Sequence, residues 1–254
     1  MNMKFSVITT CFNRAGTIRE TIESALAQDY RDMEYIVVDG ASTDGTTEIV
    51  REYAERIDKV VSEKDGGMYE AINKGIRLAT GDVICLLHSD DVFYDMHTLS
   101  EVARAFEQTG ADLVYADGIY VNAENPRRIV RNWIGGKYSR RKVGWGWLPL
   151  HPTCYIRREV MLREGLYDER YKIAADTDLL IRYLYERTLR VEYLHRYVVR
   201  MRMGGLSTDR QKRQMMWNED VEIYRSHGFA AVPTKLMKMA WKVPQFISAK
   251  FVRI

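Results

Sequence analysis

The sequence VICLLHSDD, residues 83–91, joins an apolar run to a polar end. The five apolar residues lack the polar alternation of a half-buried strand, so the pattern predicts a central strand that is covered on both faces. In an open parallel sheet, ligands bind beyond the carboxyl ends of the strands. We therefore expect a functional site at the polar residues that end this stretch, Ser89, Asp90 and Asp91.

On both sides of this stretch, short β-rich runs alternate with amphipathic segments. The predicted strands are FSVITT (5–10), YIVV (35–38), VV (60–61) and LVYA (113–116), and the predicted helices cover 17–28, 46–57, 69–78 and 98–109. This alternation is typical of βαβ units. It predicts an α/β fold class, with a doubly wound, mostly parallel central sheet flanked by helices.

The composition is that of one globular domain, with 254 residues of which 46% are hydrophobic and 29% charged. These values exclude a disordered, collagen-like or disulfide-rich miniprotein class. A net charge of +3 is too small to make nucleic acid the expected partner. The three cysteines form no CxxC pair, and no segment has the apolar length of a secretory signal or a bilayer span. We expect buried thiols and a cytoplasmic protein, soluble or peripherally attached to a membrane.

The second half of the chain has a different charge pattern. Residues 125–158 contain nine Arg or Lys and no Asp or Glu, interleaved with Trp133, Trp145 and Trp147. Such a surface favours an anionic partner. Helical spacing returns at 176–186 and from about 208 to 224. We accordingly divide the chain into residues 1–116, residues 117–210 of the same domain, and a C-terminal helical segment, 211–254.

Polar residues follow three of the predicted strands, in TTCFNR (9–14), DGASTDGT (39–46) and HSDD (88–91). None of these segments contains the GxGxxG or GxxxxGK[ST] pattern of a dinucleotide site or a P-loop. The adjacent carboxylates Asp90 and Asp91 would repel each other unless a cation neutralised them, and Mg²⁺ or Mn²⁺ beside a substrate phosphate suits such ligands. The alternative is that Asp90 or Asp91 caps the following helix, and that Asp39 is a turn residue.

At the level of motifs, the chain resembles the family-2 glycosyltransferases over roughly residues 5 to 208. The resemblance rests on SVITTCFNR (6–14), VDGASTDGT (38–46) and residues 62–91, and more weakly on HPT (151–153), GLYD (165–168), AADTDLL (174–180) and GGLS (204–207). It implies a glycosyltransferase A fold, a nucleotide-diphosphate sugar donor, a divalent metal and inversion at the anomeric carbon.

The resemblance also implies roles for individual residues. Its nucleotide-contacting positions correspond to Thr10, Asn13, Asp39 and Asp65. Its metal-and-ribose motif corresponds to Asp90 and Asp91, of which we assign Asp90 to the donor and Asp91 to Mn²⁺ or Mg²⁺. His88 replaces the Asn that the family usually carries two residues before the first Asp. This departure either adds a metal or phosphate contact or is neutral.

Inverting transfer requires a base for the acceptor hydroxyl, and the resemblance assigns this role to Asp176, with Asp178 as the alternative. Asp176 also begins a predicted helix, where a carboxylate caps the backbone without taking part in chemistry. His151 is expected near the donor or acceptor pocket, or else as a plain hydrogen-bonding residue. Gly205 and Ser207 are expected in a turn that closes over the diphosphate, or else in an ordinary loop.

We expect the acceptor to be a saccharide or lipid-linked hydroxyl, since the resemblance is closest to bacterial enzymes of surface polysaccharide synthesis. The alternative is a non-catalytic member of the fold that binds a polysaccharide or a partner.

The C-terminal segment places basic residues among apolar ones. These are Lys235, Lys238, Lys242, Lys250 and Arg253, among Leu236, Met237, Met239, Trp241, Phe246, Ile247 and Phe251. The pattern predicts two short amphipathic pieces separated at Pro244, suited to an anionic membrane surface. The alternative is packing of the apolar side chains on the enzyme's own core or on a partner subunit.

Overall fold

The computed structural model describes residues 3–204 and 212–252, and the following concerns those residues. The strands are β1 (Phe5–Cys11), β2 (Met33–Asp39), β3 (Lys59–Ser62), β4 (Val83–Leu86), β5 (Val92–Phe93), β6 (Leu113–Val121), β7 (Ile129–Trp133), β8 (Cys154–Arg157) and β9 (Val191–Arg202). The helices are α1 (Ile18–Leu26), α2 (Thr46–Glu52), α3 (Met68–Leu78), α4 (Thr98–Thr109), α5 (Arg140–Gly144), α6 (Arg158–Glu164), α7 (Ala175–Ile181), α8 (Arg213–Ser226), α9 (Ala231–Ala240) and α10 (Val243–Ser248).

The strands form one mixed sheet in the order β3-β2-β1-β4-β8-β6-β9-β5, with β7 also paired to β6. The first four strands along the chain are parallel, and their register sets Cys11 opposite Asp39. Strand β8 lies antiparallel between β4 and β6. The carboxyl ends of β1, β2 and β4 therefore share one edge of the sheet.

Two apolar clusters cover the two faces of the central strands. Ile8 and Ile84 pack in the cluster that contains residues of α3 and α7, whereas Val7 and Cys85 pack in the cluster that contains residues of α1 and α4. Both faces of β1 and β4 are thus buried, which explains why residues 83–87 lack polar alternation. The predicted α/β fold class is confirmed, and all three cysteines are free and buried.

The predicted strands and helices of the first 116 residues are present, although α2 ends at Glu52, before the predicted end at residue 57. Strand β6 continues through the boundary that we predicted at residue 116. The second half adds β7, β8 and β9, which the sequence pattern did not indicate, and the antiparallel pairing of β8 makes the sheet less parallel than predicted. None of the described helices is both long and apolar enough to cross a membrane.

Candidate active site

A cavity of about 430 Å³ opens at the carboxyl ends of β1 and β4. Its size is that of a small-molecule site. Its walls include six residues to which we assigned functions from the sequence: Thr10, Asp65, Asp90, Asp91, His151 and Asp176. The topology explains this convergence, because segments far apart in the chain end at the same edge of the sheet.

Asp91 is buried at the floor of this cavity, with 1% of its surface exposed. The backbone N–H of Arg202, on β9, donates to its Oδ1 at 3.2 Å, whereas its Oδ2 has no hydrogen-bond partner among the described residues. Burial and the neighbouring Asp90 raise the pKa of Asp91 well above its usual value. An ionised Asp91 therefore needs a cation beside Oδ2.

The carboxylate oxygens at this end of the cavity suit a divalent metal ion that the substrate also binds. Asp91 and the half-buried Asp90 both line the cavity. Hard cations such as Mg²⁺ are commonly held by one or two carboxylates together with substrate phosphates. Within residues 3–204 and 212–252 there is no cluster of three or more His, Cys, Asp or Glu side chains with metal-site geometry.

Asp39 and Asn13 do not line the cavity but shape the loops at its entrance. The fully buried Asp39 accepts hydrogen bonds from the hydroxyls of Ser42, Ser62 and Thr47. Burial alone would raise the pKa of Asp39, but these hydrogen bonds outweigh it and lower the pKa. Asn13 has a positive φ of 52°, and its Oδ1 accepts from the Thr43 N–H at 3.0 Å. The loops after β1 and β2 are thereby tied together.

Asp65 lines the cavity and also lies beside the loop that follows β2. Its Oδ1 accepts from the Gly67 N–H at 2.9 Å, at the start of α3. A Cβ at Gly40 would lie 2.8 Å from Asp65 Oδ2, so a larger residue at position 40 would displace the carboxylate from the β2 loop. The predicted nucleotide contacts of Thr10, Asn13, Asp39 and Asp65 remain predictions.

Asp176 and Asp178, the two candidates for the base, face different surroundings on α7. Asp176 lines the cavity near Tyr69, whose hydroxyl lies 3.4 Å from its Oδ1. Asp178 is buried and accepts from Arg182 Nε at 2.9 Å, with His227 Nε2 also at 2.9 Å. The geometry thus favours Asp176 for chemistry and gives Asp178 a structural contact, while the assignment of the base stays a prediction.

Two histidines lie on one wall of the cavity. Burial lowers the pKa of His151 to about 4, and its Nε2 lies 2.6 Å from the Tyr167 hydroxyl. The ring of His88 is centred 6.1 Å away, and burial lowers its pKa as well. Both imidazoles are therefore neutral at pH 7. Gly205 and Ser207 lie outside the described residues.

The C-terminal helices supply a cationic wall that the sequence interpretation missed. Lys238 and Lys242 line the cavity, and Lys238 donates to Asp220 and to Thr177 at 2.7 Å each. Lys235 is buried and also ion-paired with Asp220. We had placed these three lysines on a membrane-facing surface; the structure turns them inward instead. Their spacing of three and four residues, which sets them on one helix face, was the available signal.

Comparisons with known proteins agree with this geometry. A family model described as "Glycosyl transferase family 2" matches residues 6–166. A PGL/p-HBAD biosynthesis glycosyltransferase from Mycobacterium bovis is 32% identical over 208 residues, which cover 80% of this chain and 78% of that protein.

Two solved structures share the fold. S. aureus TarS in complex with UDP-GlcNAc has a TM-score of 0.70 at 19% identity, covering 98% of this chain and 73% of that one. Mannosyltransferase PcManGT from Pyrobaculum calidifontis in complex with GDP-Man and Mn²⁺ has a TM-score of 0.64 at 20% identity, covering 98% and 74%. The expected glycosyltransferase A fold is confirmed. With more than half of its length matched by the family model, the chain belongs to glycosyl transferase family 2.

Proposed function

We propose that the chain is an inverting, metal-dependent transferase that moves a sugar from a nucleotide-diphosphate donor to a hydroxyl of a saccharide or lipid-linked acceptor in bacterial surface polysaccharide synthesis. Its family makes it a glycosyltransferase, and structural neighbours bind nucleotide sugars. The observation that carries the finer proposal is the Oδ2 of buried Asp91, for which residues 3–204 and 212–252 supply no hydrogen-bond partner. Asp91 shares a cavity with Asp176.

Asp91 and Asp90 are the residues that would hold the divalent ion. When bound there, such an ion neutralises the charge that develops on the leaving diphosphate. The loops tied together by Asn13 and Asp39, with Asp65 beside them, form the end of the cavity at which we expect the nucleotide.

Asp176 is proposed to receive the proton of the acceptor hydroxyl. The acceptor oxygen bonds to the anomeric carbon from the face opposite the diphosphate. As that bond forms, the bond between the anomeric carbon and the diphosphate oxygen breaks, and its electron pair leaves with the diphosphate. The start of α7 fixes the Asp176 backbone, and Tyr69 limits where the carboxylate can point.

We also propose that the C-terminal segment touches an anionic membrane. Large apolar side chains on α9, α10 and the turn that follows are exposed: Leu236, Met239, Val243, Phe246, Ile247 and Phe251. Exposed apolar residues on short helices suit the headgroup region of a bilayer. Because Lys235, Lys238 and Lys242 face inward, the attraction rests on apolar contact more than on charge.

The direct test is a screen of nucleotide sugars for thermal stabilisation in Mn²⁺, followed by analysis of the product. A donor substrate raises the melting temperature because it binds the native state. We expect stabilisation by one nucleotide class and transfer of its sugar with an inverted anomeric configuration. A retained configuration, or binding with no transfer to any saccharide or lipid-linked acceptor tested, would contradict the proposal.

A further inference from the structure

Arg131, on β7, is a buried cation with a free hydrogen-bond donor at the cavity wall. It is 8% exposed, and its Nη2 has no hydrogen-bond partner among the described residues. Its Nε donates to Gln245, on α10, at 2.6 Å. The guanidinium lies 4.0 Å from the ring centre of Trp133 and 5.4 Å from that of Phe246. These contacts fix the guanidinium and leave its Nη2 available as a donor.

Lys242 adds a second unpaired charge to the same wall. It lines the cavity, and in the described part of the chain its Nζ has neither a hydrogen bond nor an ion pair. Burial, reinforced by Lys238, Arg131 and Lys235, lowers the pKa of Lys242 to about 7, and Asp220 offsets this effect only in part. Since Asp220 is already paired with Lys235 and Lys238, this wall has an excess of positive charge.

The strand that carries Arg131 lies apart from the strand whose backbone holds Asp91. Arg131 pairs in register with Tyr120 on β6, which pairs with Met201 on β9, next to the Arg202 that donates to Asp91. Neighbouring strands lie about 4.8 Å apart, so β7 and β9 are separated by roughly 10 Å. A phosphate that shares a metal ion with Asp91 lies within about 3 Å of that ion. The donor diphosphate is therefore expected at the Asp91 end of the cavity.

We propose that Arg131 and Lys242 form an anion subsite for a phosphate group of the acceptor, so that the acceptor is a phosphorylated molecule. This inference rests on the proposed function, in which the other end of the cavity holds the donor. A guanidinium N–H and an ammonium group are the donors that phosphate oxygens accept. The apolar side chains of Val243, Phe246 and Ile247 are exposed near this subsite, on α10, which suits a phosphate carried by a lipid.

The test measures binding of methyl phosphate by ³¹P NMR to protein saturated with UDP or GDP and Mg²⁺, whichever nucleotide binds. Lys242→Gln should weaken methyl phosphate binding by about tenfold or more, since it removes one charged hydrogen-bond donor. Lys242→Arg should retain binding. Lys250→Gln is the matched control, because it removes the same charge from an exposed position near the chain's end. It should leave binding unchanged.

Three results would overturn the subsite. These are an equal loss in Lys250→Gln, no loss in Lys242→Gln, or displacement of methyl phosphate by the nucleoside diphosphate, which would identify the wall as part of the donor site. A failure of the proposed function looks different. In that case no nucleoside diphosphate binds to wild-type protein, and the methyl phosphate titration of the nucleotide-free wild type and Lys242→Gln still tests the subsite.

Discussion

Asp91 is a carboxylate in an environment that penalises its charge. Burial raises its pKa, and the Arg202 N–H satisfies one oxygen while the other has no hydrogen-bond partner among the described residues. A neutral amide at this position keeps the acceptor for Arg202 and avoids the cost of burying a charge. Asp91 thus offers metal binding at the expense of stability, as is common for residues that carry out chemistry.

We expect Asp91→Asn to abolish most turnover. In excess chelator, the melting temperature of the variant should be no lower than that of the wild type. The stabilisation that Mn²⁺ confers on the wild type should disappear, because the ligand oxygen is lost. Thermal melts with and without Mn²⁺, together with transfer assays, measure both effects. Asp32→Asn, outside the cavity, is the control. Full activity of Asp91→Asn, or of the wild type in excess chelator, would disprove the metal role.

Asp176 and Asp178, both on α7, are expected to have different roles, the first in catalysis and the second in stability. Asp176→Asn should reduce turnover by about 10²–10⁴ with little change in donor affinity or melting temperature. Asp178→Asn should lower the free energy of unfolding by about 2 kcal/mol or more, because Arg182 and His227 lose a buried counter-charge. The folded fraction of this variant should retain turnover. Transfer assays and denaturant titrations of both variants make the comparison. The reverse outcome would move the base to Asp178.

At the scale of elements, α9 has the opposite of the usual amphipathic arrangement. Its buried face carries Lys235 and Lys238, held by Asp220 of α8, whereas Leu236 and Met239 are exposed. The sequence interpretation assumed that apolar residues mark the buried face, the usual case for a surface helix. A buried carboxylate on another helix reverses this preference, and no local pattern reveals that partner.

Asp220 therefore anchors the C-terminal wall of the cavity. Asp220→Asn leaves Lys235 and Lys238 without their counter-charge, and we expect a loss of about 3–5 kcal/mol in the free energy of unfolding. Burial opposes ionisation, but the two lysines lower the pKa of Asp220 to about 2, so the pair persists at neutral pH. Urea titration measures the change. Glu222→Gln, on the exposed side of α8, should be neutral; equal effects of both variants would contradict the anchoring role.

The strands differ in how well their sequences predicted them. The sequences of β1 and β4 are apolar because both faces of these strands are covered, and this made the two strands recognisable from the sequence. Strand β8 has four residues, and β9 carries Glu192, His195, Arg196, Arg200 and Arg202 along a partly exposed length. Such strands form through pairing with β6, a long-range contact that local periodicity does not encode. Asp90 and Asp91 were predictable because they follow an apolar strand, and Thr10 because its motif resembles the family's. Arg131 and Lys242 were not predictable, because their proximity depends on the docking of α10.

At the scale of the whole molecule, the exposed apolar side chains of the C-terminal segment can be tested apart from the cavity. The double variant Ile247→Ser, Phe251→Ser alters residues that are 57% and 81% exposed. We expect it to sediment less with anionic vesicles than wild type while retaining turnover on a water-soluble acceptor, since apolar insertion drives attachment. Leu162→Ser, at an exposed site on α6, controls for general surface effects. Unchanged sedimentation of the double variant would argue against this membrane surface.

A chain ending near Val232 lacks this apolar surface too, but it also loses Lys235, Lys238 and Lys242 from the cavity wall. We therefore expect that truncation to impair transfer as well as vesicle binding, whereas the double variant affects vesicle binding alone. Comparing the two in the same transfer assay distinguishes a membrane contact from a contribution to the cavity.

The attachment of α9 to α8 through one carboxylate has a consequence for how such enzymes diversify. The loops expected to bind the donor come from the first hundred residues, whereas the opposite wall comes from the C-terminal segment. That segment is held by the Asp220 ion pairs and by hydrogen bonds of Lys238 to Thr177 and of Arg131 to Gln245. Recombination that exchanges the C-terminal helices, together with the residue at position 220, would replace that wall and leave the donor loops intact. The proposed acceptor subsite and the loops expected to bind the donor would then be inherited separately.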